Sequence, residues 1–103
     1  MKIGTDIVLI SRISKSIQKQ HFKESVFTPA ELEYCKSDSN FAGIFAAKEA
    51  YLKALGTGID RRLNTVDILH NEKGKPYINS VQNSDVSISH DGDYVIAFVI
   101  IND

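Results

Sequence analysis

The chain has 103 residues, of which 43% are hydrophobic and 24% charged, and its formal net charge is −1. This length predicts one domain over residues 1–103, and this composition excludes wholesale disorder. The longest apolar run, Tyr94–Ile101, is far shorter than the roughly 20 residues of a membrane-spanning helix. Because Cys35 is the single cysteine, no internal disulfide can form, and we expect a cytoplasmic protein without membrane contact.

The charge is unevenly distributed along the chain. Residues 1–23 hold five basic side chains against one acidic side chain, a net of +4, and the remaining residues carry a net of −5. This basic segment suggests an acidic partner, although a solvated helix face is the simpler interpretation on charge alone. A nucleic-acid-binding module is a weak alternative, because the pI is about 6.3 and no aromatic stacking platform accompanies the charge.

The first half of the chain predicts one strand followed by helices. Lys2–Ile10 is rich in Ile and Val and is typical of a strand, and Ser11 can cap a helix after it. Thr28–Glu31 reads Thr-Pro-Ala-Glu, which predicts a capping box at the start of a short helix. A longer helix is expected over Phe41–Leu55, ended by Gly56 in the left-handed conformation.

The second half predicts strands joined by tight turns. Strands are expected over four segments, Val66–Leu69, Pro76–Asn79, Val86–His90 and Tyr94–Ile101. Turns are expected at residues 71–75 and 91–93, where Asn, Asp and Gly cluster. Early helices and late hairpins predict the α+β class: an N-terminal strand, helices that include one long central helix, then a largely antiparallel C-terminal sheet.

Four charged residues stand out from these patterns. Asp6 lies inside an apolar strand, where it either bonds backbone amides or joins Glu49 in supplying oxygen ligands to Mg²⁺. Glu49 and Lys53 share a helix face with small alanines, which fits either an exposed ion pair worth about 0.3–0.5 kcal/mol or an approach site for a ligand. Lys48 interrupts the apolar stripe, so its ammonium either extends to water or meets an anion.

Five segments of the chain, in order, resemble the motifs of one enzyme family: Ile3–Ile7, Phe27–Leu32, Phe45–Gly58, Gly74–Tyr77 and Val86–His90. The third reads FAAKEAYLKALGTG and is similar to the signature of the holo-acyl carrier protein synthases, the small class of 4′-phosphopantetheinyl transferases. The resemblance spans essentially the whole chain. It implies the fold of that family and a transfer of 4′-phosphopantetheine from coenzyme A to a serine of apo-acyl carrier protein, in fatty acid biosynthesis.

The resemblance also implies which residues carry the reaction. Asp6 and Glu49 match the carboxylates that bind Mg²⁺, with Mn²⁺ a possible substitute, and Lys53 matches the lysine near the reacting phosphate. The base that takes the serine proton is Glu49, a metal-bound water, or Lys53 if burial lowers its pKa. The positions that match the coenzyme A environment are Lys48, Lys75, Pro76, Ser89 and His90.

The family likeness further implies partners. Its first helix docks the acidic carrier protein through basic residues. Here Arg12, Lys15 and Lys19 have the i, i+3, i+7 spacing of one side of a helix, with Lys23 just beyond. The small members of the family are homotrimers with active sites between subunits. One departure is Ile44, which stands where the family usually has an arginine, with Arg61 or Arg62 as candidates to compensate. A paralogue that binds the carrier protein without modifying it is therefore a rival interpretation.

Overall fold

The structure is a computed structural model that describes residues 1–56 and 63–102, so Arg61 and Arg62 lie outside the described residues. Its elements in chain order are β1 (Lys2–Leu9), α1 (Ile10–Ser16), α2 (Gln20–Val26), α3 (Pro29–Tyr34), α4 (Asp38–Leu55), a 3₁₀ turn (Leu63–Thr65), β2 (Ile68–His70), β3 (Pro76–Ile78), β4 (Ser84–Asp91) and β5 (Tyr94–Ile101). Within these ranges, no helix is both long and apolar enough to cross a bilayer.

Two antiparallel sheets confirm the predicted α+β class. Strands β1, β5 and β4 form one sheet in that order, with Lys2 opposite Ile101 and Asp91 opposite Tyr94, and β2 pairs with β3 in the other. Gly92 has a positive φ of 58° in the turn between β4 and β5, which a glycine adopts without strain. Alternate residues of β5 are buried, so one face of the larger sheet packs against α4 and the other faces outward.

Helix α4 is the central element, and its ends follow from local chemistry. The Ser37 hydroxyl accepts a hydrogen bond from the backbone N–H of Asn40, so the helix begins at Asp38, three residues before the predicted start. Gly56 ends it with a left-handed φ of 78°, as predicted. The predicted capping box of α3 is also confirmed, because Thr28 and Glu31 bond each other's backbone N–H groups.

Strand β1 crosses α4 with backbone against backbone at Gly4. A Cβ atom placed on Gly4 would lie 1.8 Å from the carbonyl oxygen of Ala50 and 2.7 Å from the backbone nitrogen of Ala54. No side chain fits in that space, so only glycine allows the strand to approach the helix this closely. The contact brings the middle of β1 beside the last two turns of α4.

The basic N-terminal region is two short helices, where the sequence suggested one. Helix α1 ends at Ser16, and Lys19 adopts an extended conformation (φ −91°, ψ 116°) before α2 begins at Gln20. Ser11 does not cap α1 as predicted, because the residue at the N-cap is Leu9 and it makes no side-chain bond. Arg12 and Lys15 therefore share α1, whereas Lys19 and Lys23 belong to the start and the last turn of α2.

Candidate active site

Asp6 and Lys53 meet at the border between β1 and α4. The Lys53 Nζ donates to Asp6 Oδ1 at 3.0 Å and to the carbonyl oxygen of Thr5 at 3.1 Å. The Asp6 side chain is 15% exposed and that of Lys53 is 52% exposed, so the pair lies at the surface with its aspartate turned inward. The ammonium group of Lys53 therefore explains why the carboxylate of Asp6 is tolerated inside an otherwise apolar strand.

Glu49 lies one helical turn before Lys53 and shares its face of α4. It is half-buried, and the next residue, Ala50, is the one that touches Gly4 of β1. The predicted trio of Asp6, Glu49 and Lys53 is thus assembled along one strand–helix border. On spacing alone, Glu49 and Lys53 could be an ordinary exposed i, i+4 pair. In the structure they lie at the border with β1, where Asp6 bonds Lys53.

The carboxylates along this border suit one kind of metal ion better than others. Among residues 1–56 and 63–102, no group of three or more His, Cys, Asp or Glu side chains is arranged to hold a metal. Mg²⁺ does not need such a cage, since it keeps several waters and is held by one or two carboxylates plus substrate phosphates. The oxygen donors of Asp6 and Glu49 fit that requirement.

Lys48 does not reach a surface where a nucleotide could bind, in contrast to its predicted contact with coenzyme A. Its side chain is fully buried, and its Nζ lies 2.5 Å from Glu31 Oε1. The same nitrogen donates to the carbonyl oxygens of Val26 at 2.6 Å and Leu63 at 2.8 Å. The ammonium therefore does meet an anion, but that anion is a glutamate of α3, and its three donors are all used inside the chain.

A cavity of about 150 Å³ opens between α4, α3 and the ends of the strands. Of the predicted coenzyme A residues, Pro76 and His90 line it, together with Gly43 and Ile44 of α4. A Cβ placed on Gly43 would lie 3.7 Å from His90 Nε2, which shows how closely β4 approaches the helix there. Ile44, the departure from the family pattern, is buried and forms part of the cavity wall.

Two other predicted coenzyme A residues do not line this cavity within one chain. The Lys75 Nζ donates to Asp85 Oδ1 at 2.8 Å and to the carbonyl oxygen of Val86 at 3.1 Å, so its side chain extends toward β4 instead. Ser89 lies on the outward face of the sheet, opposite Ile96, because neighbouring residues of a strand point to opposite faces and His90 takes the inward one. The motif was recognised, but not the face that each residue presents.

Two aromatic rings that line the cavity are stacked, and no sequence pattern predicts this pair. The rings of Tyr34 and His70 lie parallel, with centroids 3.9 Å apart and planes 6° apart. Burial lowers the pKa of His70, so its imidazole is neutral at neutral pH. The two residues are distant in sequence, and only the packing of α3 against β2 brings them together.

The remaining candidates divide by exposure. Arg12, Lys15 and Lys19 are exposed, whereas Lys23 is half-buried with its Nζ 5.5 Å from the centre of the Phe41 ring. Burial raises the pKa of Cys35 to about 12, which keeps the thiol protonated and unsuited to nucleophilic chemistry.

Comparison with known proteins shows one family for the chain. The family model of the 4′-phosphopantetheinyl transferase superfamily matches residues 2–99. The chain is 43% identical to the holo-[acyl-carrier-protein] synthase of Cytophaga hutchinsonii, over 97% of this chain and 95% of that protein. The Helicobacter pylori synthase in complex with coenzyme A superposes with a TM-score of 0.86 at 37% identity, over 97% of this chain and 99% of that one. The Neisseria meningitidis synthase does so with a TM-score of 0.87 at 33% identity, over 99% and 98%.

Proposed function

Because the chain belongs to the 4′-phosphopantetheinyl transferase superfamily, we propose that it is a holo-acyl carrier protein synthase. It transfers 4′-phosphopantetheine from coenzyme A to a serine of apo-acyl carrier protein and releases adenosine 3′,5′-bisphosphate. The observation that carries this proposal is the Asp6–Lys53 pair beside Glu49, which places two acids and a cation where a pyrophosphate can be bound. The bound coenzyme A of the Helicobacter pylori relative gives independent support.

Asp6 and Glu49 would hold Mg²⁺, with Mn²⁺ as an alternative, and the bound ion would supply charge neutralisation for the pyrophosphate. Lys53 adds a fixed positive charge for the oxygens of the phosphoryl group in transfer. Its 3.0 Å bond to Asp6 orients the ammonium before substrate arrives, so little reorganisation is needed during the reaction.

The reaction itself is a displacement at phosphorus. The serine oxygen bonds to the phosphorus nearer the pantetheine, the bond from that phosphorus to the bridging oxygen breaks, and the electron pair leaves with adenosine 3′,5′-bisphosphate. Glu49 accepts the serine proton, directly or through a water molecule. Lys53 is a poor candidate for this base, because its side chain is half exposed and the role required burial.

We assign the nucleotide end of coenzyme A to the cavity lined by Gly43, Ile44, Pro76 and His90. A volume of about 150 Å³ holds only part of so large a molecule. The rest of the ligand must therefore run along the protein surface toward Asp6 and Lys53.

The proposal is tested by intact-mass spectrometry of apo-acyl carrier protein incubated with this protein, coenzyme A and Mg²⁺. We expect a mass gain of one phosphopantetheine that chelation of the metal abolishes. If a folded sample produces no gain with any of several carrier proteins, the rival interpretation of a binder without catalytic activity replaces this one.

The assembly we propose is a homotrimer with active sites between subunits, and the outward face of the β1–β5–β4 sheet supports it. On that face Phe98 is 50% exposed and Ile7 is 62% exposed, with Ile96 between them, so a contiguous apolar surface faces water in a single chain. A neighbouring subunit would cover it and would also bring a second chain close to Ser89.

Sedimentation should therefore give a mass three times the 11.5 kDa of the chain. The Phe98→Lys substitution should shift it toward the monomer, because it places a charge in an apolar contact. Tyr77→Lys, which alters an exposed aromatic of the other sheet, is the matched control and should leave the mass unchanged. A monomer for the unmodified chain contradicts this part of the proposal.

The acidic carrier protein is proposed to dock on the exposed Arg12, Lys15 and Lys19 with help from Lys23. The two-helix arrangement spreads these charges over α1 and the start of α2, so the docking surface is wider than one helix face. Screening should weaken the complex as salt increases, because the charges are exposed.

Reversing two of these charges should separate the two substrates kinetically. Lys15→Glu with Lys19→Glu is expected to raise the KM for the carrier protein about tenfold, since each reversal replaces an attraction by a repulsion, and to leave the KM for coenzyme A nearly unchanged. The control, Lys2→Glu with Lys73→Glu, makes the same change in net charge at exposed residues outside α1 and α2. Equal increases in both KM values, or the same effect from the control, would exclude this docking surface.

We propose that residues 1–103 act as one domain, which the pairing of β1 with β5 supports by joining the two ends of the described chain. We propose the cytoplasm as its location, since Cys35 is a free buried thiol and a reducing compartment keeps it so.

A further inference from the structure

Glu31 and Lys48 form a buried, extensively hydrogen-bonded pair outside the proposed reaction site. Both side chains are fully buried. Glu31 Oε1 accepts from Lys48 and from the Thr28 N–H at 3.0 Å, and Oε2 accepts from the Ile68 N–H at 2.7 Å. Together with the Lys48 bonds to two carbonyl groups, the pair connects the end of α2, the start of α3, α4, the 3₁₀ turn and the first residue of β2.

The Glu31–Lys48 pair is not expected to add much to the free energy of unfolding. Burial raises the pKa of Glu31 and lowers that of Lys48, and the attraction between the two charges only opposes these shifts. Apolar side chains of similar volume often fill such a site equally well, so a buried ion pair is weak evidence for a stabilising role. Its directional bonds, in contrast, specify one arrangement of the segments that it joins.

Those segments carry the stacked rings of the cavity. Tyr34 follows Glu31 by three residues on α3, and His70 follows Ile68 by two residues on β2. The 2.7 Å bond from the Ile68 N–H to Glu31 therefore joins the two elements one turn away from the 3.9 Å ring stack. A shift of α3 against β2 would separate the rings and change the wall of the cavity.

We propose that Glu31 and Lys48 are positioning residues for coenzyme A: they hold α3 against β2 so that Tyr34 and His70 form one wall of the pocket. This inference rests on the proposed function, in which the cavity receives the nucleotide end of coenzyme A. Neither residue touches the cavity or the Asp6–Lys53 pair, so their effect is transmitted through the placement of the rings.

The kinetic test uses variants that avoid leaving one charge buried alone. Glu31→Gln with Lys48→Met removes both charges, and the amide offers one acceptor oxygen in place of two, so the bond to Thr28 or to Ile68 is lost. Glu31→Asp keeps the charge near Lys48 but is too short to keep all of its bonds. In folded protein we expect both to raise the KM for coenzyme A about tenfold or more, with little change in the KM for the carrier protein. Glu33→Gln, on the exposed side of α3, is the matched control and should change neither.

A second readout does not depend on activity. The His70 ring protons should show an upfield NMR shift from the Tyr34 ring, and Tyr34→Ala gives their position without the stack. We expect the shift to decrease in the double variant and in Glu31→Asp, and to persist in Glu33→Gln. Folded variants with an unchanged KM for coenzyme A and unchanged His70 resonances would overturn the proposal. If the unmodified chain transfers no phosphopantetheine, the proposed function fails, and the resonances alone still decide whether the pair positions the rings.

Discussion

Glu49→Gln should reduce phosphopantetheine transfer by at least about a hundredfold while the protein remains folded. A divalent metal at a phosphoryl group supplies several kcal/mol of charge stabilisation, and each 1.36 kcal/mol is a factor of ten in rate. The amide is nearly the same size as the carboxylate, but it ligates Mg²⁺ weakly and cannot accept the serine proton. Half-buried on the strand–helix border, Glu49 is replaced without creating a cavity.

Asp6→Asn should have a comparable effect for a partly different reason. The amide oxygen can still accept the bond from Lys53 Nζ, so the geometry of the pair is kept while the negative charge is lost. Turnover should fall at least about a hundredfold, and added Mg²⁺ should restore part of it if metal affinity is what has weakened. Asp6→Ala, which also leaves Lys53 without its partner carboxylate, should be at least as severe.

Both effects are measured as initial rates by mass spectrometry, over a titration of Mg²⁺, with thermal unfolding as the check on folding. Glu33→Gln is the control for loss of one carboxylate from an exposed position. Near-normal rates in either site variant would remove that residue from the metal assignment. A loss of rate that accompanies unfolding would be a structural effect. In a folded variant, recovery of the rate at saturating Mg²⁺ would show that weaker metal binding caused the loss.

The second large effect is on stability: Gly4→Ala should lower the free energy of unfolding by about 3 kcal/mol, the upper end of the usual range for overpacking. The added Cβ would lie 1.8 Å from the Ala50 carbonyl oxygen, and the atoms it meets are backbone, which cannot rotate away as a side chain could. In a domain of this size that loss corresponds to a fall in Tm of roughly 12–24 °C. The strand must also move away from α4, so Asp6 would separate from Lys53 and transfer should fall with stability.

A second glycine provides a control of opposite sign. Gly43 lies inside α4, and a Cβ there would meet Ile88 Cγ2 at 3.4 Å, which is ordinary contact. Gly43→Ala should therefore raise stability by up to about 1 kcal/mol, because alanine favours the helix. Thermal or denaturant unfolding of the two variants checks both expectations. An unchanged Tm for Gly4→Ala would mean that β1 does not lie against the α4 backbone as described.

The parts of the fold that could be predicted are those set by neighbouring residues. The end of α4 at Gly56 and the capping box of α3 depend on chemistry within four residues, and both are confirmed. The antiparallel pairing of β4 and β5 likewise follows from a turn at residues 91–93 and from alternation along the strands. Neighbouring residues did not predict the break at Lys19. This residue is extended and divides the expected helix, although no glycine or proline marks the position.

The site could be predicted only to the level of its motifs. Asp6 is an anomaly in an apolar strand and Glu49 matches the family signature, and the structure brings their segments to one border. The partner of Lys48 was not predictable, because Glu31 is distant in sequence and already had a local role in a capping box. The Tyr34–His70 stack depends in the same way on tertiary packing. The faces of the sheet residues also could not be predicted: Lys75 bonds toward β4, away from the cavity, and Ser89 points outward.

The pairing of β1 with β5 has a consequence for how the chain folds. Strand β1, Lys2–Leu9, is synthesised well before its sheet partner β5, Tyr94–Ile101, and cannot pair with it until β5 has been made. Until then, β1 has no neighbouring strand, and the apolar side chains meant for the sheet remain open to chaperones or to other nascent chains. Contacts between such distant segments slow folding, since loop closure must come before the contacts that reward it. Transfer activity should therefore appear only after β5 has been made and has paired with β1.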